Sequence, residues 1–141
     1  MTSATPLASL ITEAKNGNLT VRMEPEEFAK IEYECQAFKT TIMAIQTNID
    51  DVSKIQTWGF GDHGGSILTS AQTMADRFRK IASGSDAGND YHTVLKEHWD
   101  AVEDIRLLHV AVRDRFIAED EAFAARFNAE TERLDQIPGG R

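Results

Sequence analysis

The chain has 141 residues, 41% of them apolar and 27% charged, with a net charge of -8. This composition is typical of a folded domain or an extended helical module and not of a disordered chain. It disfavours binding to nucleic acid or to an anionic membrane surface, since both use Lys and Arg against phosphates. No apolar run approaches the roughly 20 residues of a transmembrane helix, so membrane insertion is not predicted.

The first 23 residues predict a flexible leader. Its apolar patch, "PLASLI", follows no Lys or Arg, so we do not expect a Sec signal peptide. The single cysteine, Cys35, does not decide the compartment. Residues 24–137 predict one helical domain, and residues 138–141 a short tail.

A first helix is expected over residues 25–57. Pro25 suits the first helical position, and Glu26 and Glu27 suit the positive end of the helix dipole. Apolar residues then recur with alternating spacings of three and four. The predicted seam consists of Phe28, Ile31, Cys35, Phe38, Ile42, Ile45, Ile49 and Val52. This heptad pattern predicts packing against one or two partner helices, and the seam residues other than Cys35 are the predicted dimer contacts.

The stretch "TWGFGDHGGS" (57–66) predicts a chain reversal. Trp58, Gly59 and Gly61 are the predicted turn residues, since glycine permits positive φ, and Ser66 is a candidate N-cap for the next helix. The stretch lacks the Lys of a phosphate-binding loop and follows a helix, so a nucleotide site is not predicted.

A second helix is expected over residues 66–83 and a third over 90–135, with Asn89 or Asp90 as the cap of the third. The predicted class is therefore all-α, a long antiparallel helical hairpin with a broken second arm. We expect two copies of the hairpin to pair into a four-helix bundle. The alternative is a monomer whose broken arm folds back as a third layer.

No catalytic, cofactor or metal residues are predicted. His98 and His109 lie eleven residues apart, about 16 Å along a helix, which is too far for a shared metal ion. Cys35 lies on the apolar seam, where a thiol packs as a small hydrophobe. An enzyme would need a polar pocket with perturbed carboxylates between the helices.

Three stretches resemble the Trp-Xaa-Gly substrates of type VII (ESX) secretion: "LTVRMEPEEFAKIEYECQAF", "TWGFG" and "RDRFIAEDEAFAARF". The resemblance spans roughly residues 19 to 127. It implies that Trp58 and Gly59 form the hairpin turn and that Phe116 and Asp120 form the secretion signal. This chain has Gly directly after Trp, and Phe116 where the family carries Tyr.

The resemblance implies a non-catalytic helical protein that is exported, by a route other than Sec, to the cell envelope or beyond. It would act as a homodimer, or as a heterodimer with a related helical hairpin, and a type VII secretion ATPase would recognise it. The alternative hypothesis is a cytoplasmic helical adaptor or chaperone-like module that is not exported.

Overall fold

The chain folds into α-helices joined by loops. A computed structural model describes residues 7–19, 21–63 and 68–138, and no strand occurs among them. The helices are α1 (Ala8–Lys15), α2 (Pro25–Ser53), α3 (Thr69–Ala82), α4 (Tyr91–Glu119) and α5 (Glu121–Asp135). The predicted all-α class is confirmed.

The residues group into two compact units. Unit 1 comprises Met1–Thr40 and Asp100–Arg141, and unit 2 comprises Thr41–Trp99. The boundaries fall inside α2 and α4, so each of these helices contributes residues to both units.

Unit 1 contains an apolar core centred on phenylalanine rings. Phe28 is only 2% exposed, and its ring centroid lies 5.8 Å from that of Phe123 and 6.1 Å from that of Phe116. Phe116 and Phe123 stack at 5.2 Å. The core cluster joins four helices through Ala14, Phe28, Ala29, Ala111, Val112, Phe123, Phe127 and Leu134.

In unit 1, α2 and α4 contact each other in antiparallel order. Phe28 lies against Phe116, while later in α2 Lys39 forms an ion pair with Glu103, earlier in α4. Between these levels, Arg106 donates to Glu32 at 3.1 Å. Phe28 and Lys39 point inward at 2% and 9% exposure, so an apolar and a charged residue share this face of α2.

Residues 8–15 form α1 where the sequence predicted a flexible leader over residues 1–23. An eight-residue helix is marginal by itself. Tertiary packing supports α1, because Ala14 is 1% exposed inside the core cluster. Residues 1–6 and Thr20 of the predicted leader lie outside the described residues.

The first two predicted helices differ from the observed ones at their ends. The first ends at Ser53 and not at residue 57, and beyond its end the carbonyls of Ile55 and Gln56 accept hydrogen bonds from Arg79 at 2.9 Å each. The second begins at Thr69, and Ser66, its predicted N-cap, lies outside the described residues with Gly64, Gly65 and Ile67.

The third predicted helix, over residues 90–135, is two helices. α4 ends at Glu119, and Asp120, in an extended conformation, caps α5. The predicted cap at Asp90 is confirmed, since its carboxylate accepts from the Thr93 amide at 2.9 Å. That bond, followed by others from Thr93 and Ser85, lowers the pKa of Asp90. Of the predicted tail, only residue 138 is described.

Candidate functional site

The loop between α2 and α3 is held by a buried carboxylate. Asp62 is 7% exposed and accepts hydrogen bonds from the amides of Trp58 (2.9 Å) and Phe60 (3.2 Å). Gly59 and Gly61 have φ of +83° and +86°, in the left-handed region that glycine adopts at little cost. The backbone hydrogen bonds, first that from Trp58, lower the pKa of Asp62. The predicted turn residues therefore lie in a described segment, 58–62, that backbone hydrogen bonds to Asp62 hold together.

Replacing Asp62 is expected to open this loop while leaving the helices formed. Asp62→Ala leaves the Trp58 and Phe60 amides without their acceptor. We expect severalfold faster chymotrypsin cleavage after these two aromatic residues, with unchanged helical circular dichroism. Asp86→Ala, at an exposed aspartate between α3 and α4, is the control. Equal cleavage rates in both variants would contradict this role of Asp62.

An aromatic cluster joins the loop to α3. The Phe78 ring centroid lies 5.6 Å from that of Trp58 and 6.0 Å from that of Phe60. The Trp58 Nε1 atom is buried and makes no hydrogen bond among the described residues. A buried donor without an acceptor costs free energy, so the Nε1 group does not stabilise this position. Packing against Phe78, and not a polar contact, holds the Trp58 ring in place.

Unit 2 carries an apolar groove of about 560 Å³ beside this cluster. We call it the unit 2 groove. It is lined by Ile45, Ile49, Val52, Trp58, Phe78, Ile81, Ala82, Tyr91, Val94 and Leu95. Every lining residue is apolar or aromatic, which gives the groove the chemistry of a surface for another apolar surface.

The helix α3 buries its small side chains and exposes its large ones. Ala71, Ala75 and Ala82 are 7%, 0% and 5% exposed. Met74, Phe78 and Ile81 are 49%, 39% and 50% exposed and follow a spacing of four and three, so they share one side of the helix. We call these three residues the α3 apolar face. In the described part of the chain this face stays partly exposed, although burial of such residues stabilises proteins most.

The predicted seam on α2 does not form one uniformly buried stripe. Phe28 and Ile42 are buried at 2% and 3% exposure, and Ile31 and Ile49 are half-buried. The exposed members are Phe38, Ile45 and Val52, at 53%, 40% and 39%. Their role as dimer contacts stays a prediction.

The predicted signal pair makes internal contacts in unit 1. Phe116 packs with Phe28 and Phe123, and the carboxylate of Asp120 accepts from the amides of Ala122 (2.9 Å) and Phe123 (3.1 Å). Both residues also line one cleft of about 530 Å³. The pair is therefore brought together at a surface, with both side chains already engaged.

The cap gives a measurable contribution of Asp120 to stability. Asp120→Ala is expected to lower the free energy of unfolding by about 1 kcal/mol, since α5 loses its N-cap acceptor. Asp120→Asn keeps a side-chain oxygen there and is expected to stay close to wild type. Urea unfolding followed by circular dichroism measures both values, and an equal loss in the two variants would refute the capping role.

The carboxylate with the largest pKa shift lies in the ion-pair cluster of unit 1. Hydrogen bonds from Arg106, at 2.9 and 2.7 Å, and then from Lys39 lower the pKa of Glu103 to about 2. Cation contacts occupy this carboxylate. No group of three or more His, Cys, Asp or Glu residues in the described ranges could hold a metal ion.

None of the described helices is both long enough and apolar enough to cross a bilayer.

Comparison with protein-family models, curated proteins and solved structures gives no match.

Sequence reasoning missed the α3 apolar face and the anchoring roles of Asp62 and Arg79. The apolar residues of α3, at positions 71, 74, 75, 78, 81 and 82, all fall on one side of the helix. Their spacing therefore does not separate the buried alanines from the exposed large residues. Nothing in the loop sequence indicates that Asp62 is buried, since aspartate beside glycine is ordinary turn composition.

Proposed function

We propose that this chain is a non-catalytic helical protein that acts by binding another protein through unit 2. The observation that carries the proposal is the uncovered α3 apolar face beside the unit 2 groove. Contiguous exposed apolar surface of this kind marks interaction sites in soluble proteins. The rings of Trp58 and Phe78 supply the aromatic anchors that dominate binding energy at protein interfaces.

The contacts of the acidic side chains support a non-catalytic role. Glu103 is held by Arg106 and Lys39, while Asp62 and Asp90 accept backbone amides. The lowered pKa of each of these three carboxylates therefore has a structural partner. A catalytic carboxylate must instead be free to reach a substrate.

We further propose that the protein is a type VII secretion substrate, as the family resemblance implies. It would travel as a helical hairpin paired with a second hairpin in a four-helix bundle, and the secretion ATPase would read Phe116 and Asp120. Two features support this: the antiparallel contacts of α2 and α4 in unit 1, and the shared cleft that Phe116 and Asp120 line.

A cytoplasmic adaptor that is never exported is the second candidate. The observation that favours it is the internal use of the signal pair. The Asp120 carboxylate caps α5 and the Phe116 ring stacks on Phe123, so both groups already serve the folding of unit 1.

The deciding experiment is a blot of culture filtrate and lysate from cells that produce the chain, with a cytoplasmic marker as lysis control. Export predicts protein in the wild-type filtrate and none in the filtrate of a strain without the type VII ATPase. Protein confined to the lysate in both strains would overturn the export proposal and favour the adaptor.

The signal is tested with substitutions that preserve the internal contacts. Phe116→Leu keeps an apolar side chain in the core, and Asp120→Asn keeps an oxygen at the cap. The double variant is expected to stay in the lysate, whereas Phe38→Leu, at an exposed position of α2, is expected to be exported. Normal export of the double variant would mean that Phe116 and Asp120 are not the secretion signal.

A further inference from the structure

We propose that the α3 apolar face and the unit 2 groove bind a second copy of this chain in a symmetric dimer. The proposal rests on the proposed role of unit 2 in protein binding and names the partner. It places the dimer contact on α3, and not on the α2 residues that the heptad pattern predicts.

The α3 apolar face and the unit 2 groove together form a patch that can bind its own copy. A twofold-symmetric interface uses the same patch on both partners, so the patch must contain both a raised and a hollow part. Unit 2 has both: Met74 of the α3 apolar face is 49% exposed and lies outside the groove lining, and the groove has a volume of about 560 Å³. Phe78 and Ile81 belong to the α3 apolar face and also line the groove, which makes the patch continuous.

The exposed apolar area of this patch is close to what one interface needs. Exposed apolar side chains of the patch are Ile45, Val52, Met74, Phe78, Ile81 and Tyr91, at 39–61% of their full area. At roughly 150–250 Å² for a large side chain, these six leave on the order of 500 Å² uncovered. A standard interface takes about 800 Å² from each partner, of which about 60% is apolar. The patch therefore matches the apolar part of one standard interface.

The net charge of unit 2 is small. Unit 2 contains seven acidic residues and five basic ones, a net charge of 5 - 7 = -2, so unit 1 carries the other -6 of the chain's -8. Two copies that meet through unit 2 bring the nearly neutral parts together.

Sedimentation equilibrium of the full chain, over about 1–200 µM, tests this assignment. We expect wild type to fit a monomer–dimer equilibrium. Met74→Glu and Ile81→Glu are each expected to raise the dimer dissociation constant by about 30-fold or more, as for a residue at the centre of an interface. Both side chains are about half exposed, so neither substitution empties the core of unit 2.

The matched control is Phe38→Glu, an equally drastic change at a 53% exposed position of α2 in unit 1. It is expected to change the dissociation constant by less than about threefold. A wild type that stays monomeric throughout overturns the proposal, as does a dimer that Phe38→Glu weakens and the α3 variants do not. Self-association is measured on the purified chain and export in cells, so either proposal can fail while the other stands.

Discussion

Phe28→Ala is expected to lower the free energy of unfolding by about 3–5 kcal/mol, the usual cost of removing a buried phenylalanine ring. Phe28 is 2% exposed and contacts the rings of Phe116, Phe123 and His109. Its loss leaves a cavity where α2, α4 and α5 meet. Since domains of this size are stable by only about 5–15 kcal/mol, the variant is expected to unfold at a much lower urea concentration.

Phe38→Ala is the matched control for this variant. Both positions belong to the predicted α2 seam, but Phe38 is 53% exposed, so its truncation is expected to cost less than about 1 kcal/mol. Urea unfolding by circular dichroism compares the two. Similar losses would mean that the core of unit 1 is not centred on Phe28.

Glu103→Gln is expected to lower the free energy of unfolding by about 3 kcal/mol at pH 7. This loss is expected to shrink in acid. The contacts of Glu103 with Arg106 and Lys39 lower its pKa from an ordinary 4.5 to about 2. A carboxylate with a lowered pKa stabilises the folded state fully above its unfolded pKa. It loses this contribution as the pH falls through the folded value. The stabilisation is therefore complete above about pH 5 and disappears between about pH 4.5 and pH 2.

We measure the free energy of unfolding of wild type and of Glu103→Gln at several pH values from 2 to 7. The two values are expected to converge in acid. Glu26→Gln is the control, because Arg126 lowers the pKa of Glu26 at the surface, where an ion pair contributes little. A constant difference between wild type and Glu103→Gln over the whole range would contradict the assignment of this shift to Glu103.

Local signals in the sequence were sufficient for the helical class and for two helix starts. Pro25 begins α2 and Asp90 caps α4, since both effects depend on neighbouring residues only. The break at Asp120 was not predictable in this way, because apolar residues continue on both sides of it. The helix α1 depends on the burial of Ala14 in a distant core, which no local pattern reports.

The seam on α2 shows why apolar spacing did not predict burial. Lys39 is 9% exposed and paired with Glu103, while its neighbour Phe38 is 53% exposed. A charged residue can occupy an inward position when an opposite charge on another helix meets it, and the sequence does not show that pairing. The same difficulty hid the α3 apolar face, since the six apolar residues of α3 could not be divided into inner and outer sets.

The central claim is that unit 2 binds a protein through the α3 apolar face. The most direct measurement places a photo-crosslinking amino acid at position 78, or at position 38 as the control, in cells that produce the chain. We expect one discrete crosslinked product from position 78 and none from position 38, and a mass of twice the chain would identify the partner as a second copy. Absence of a product from position 78, or equal products from both positions, would contradict it.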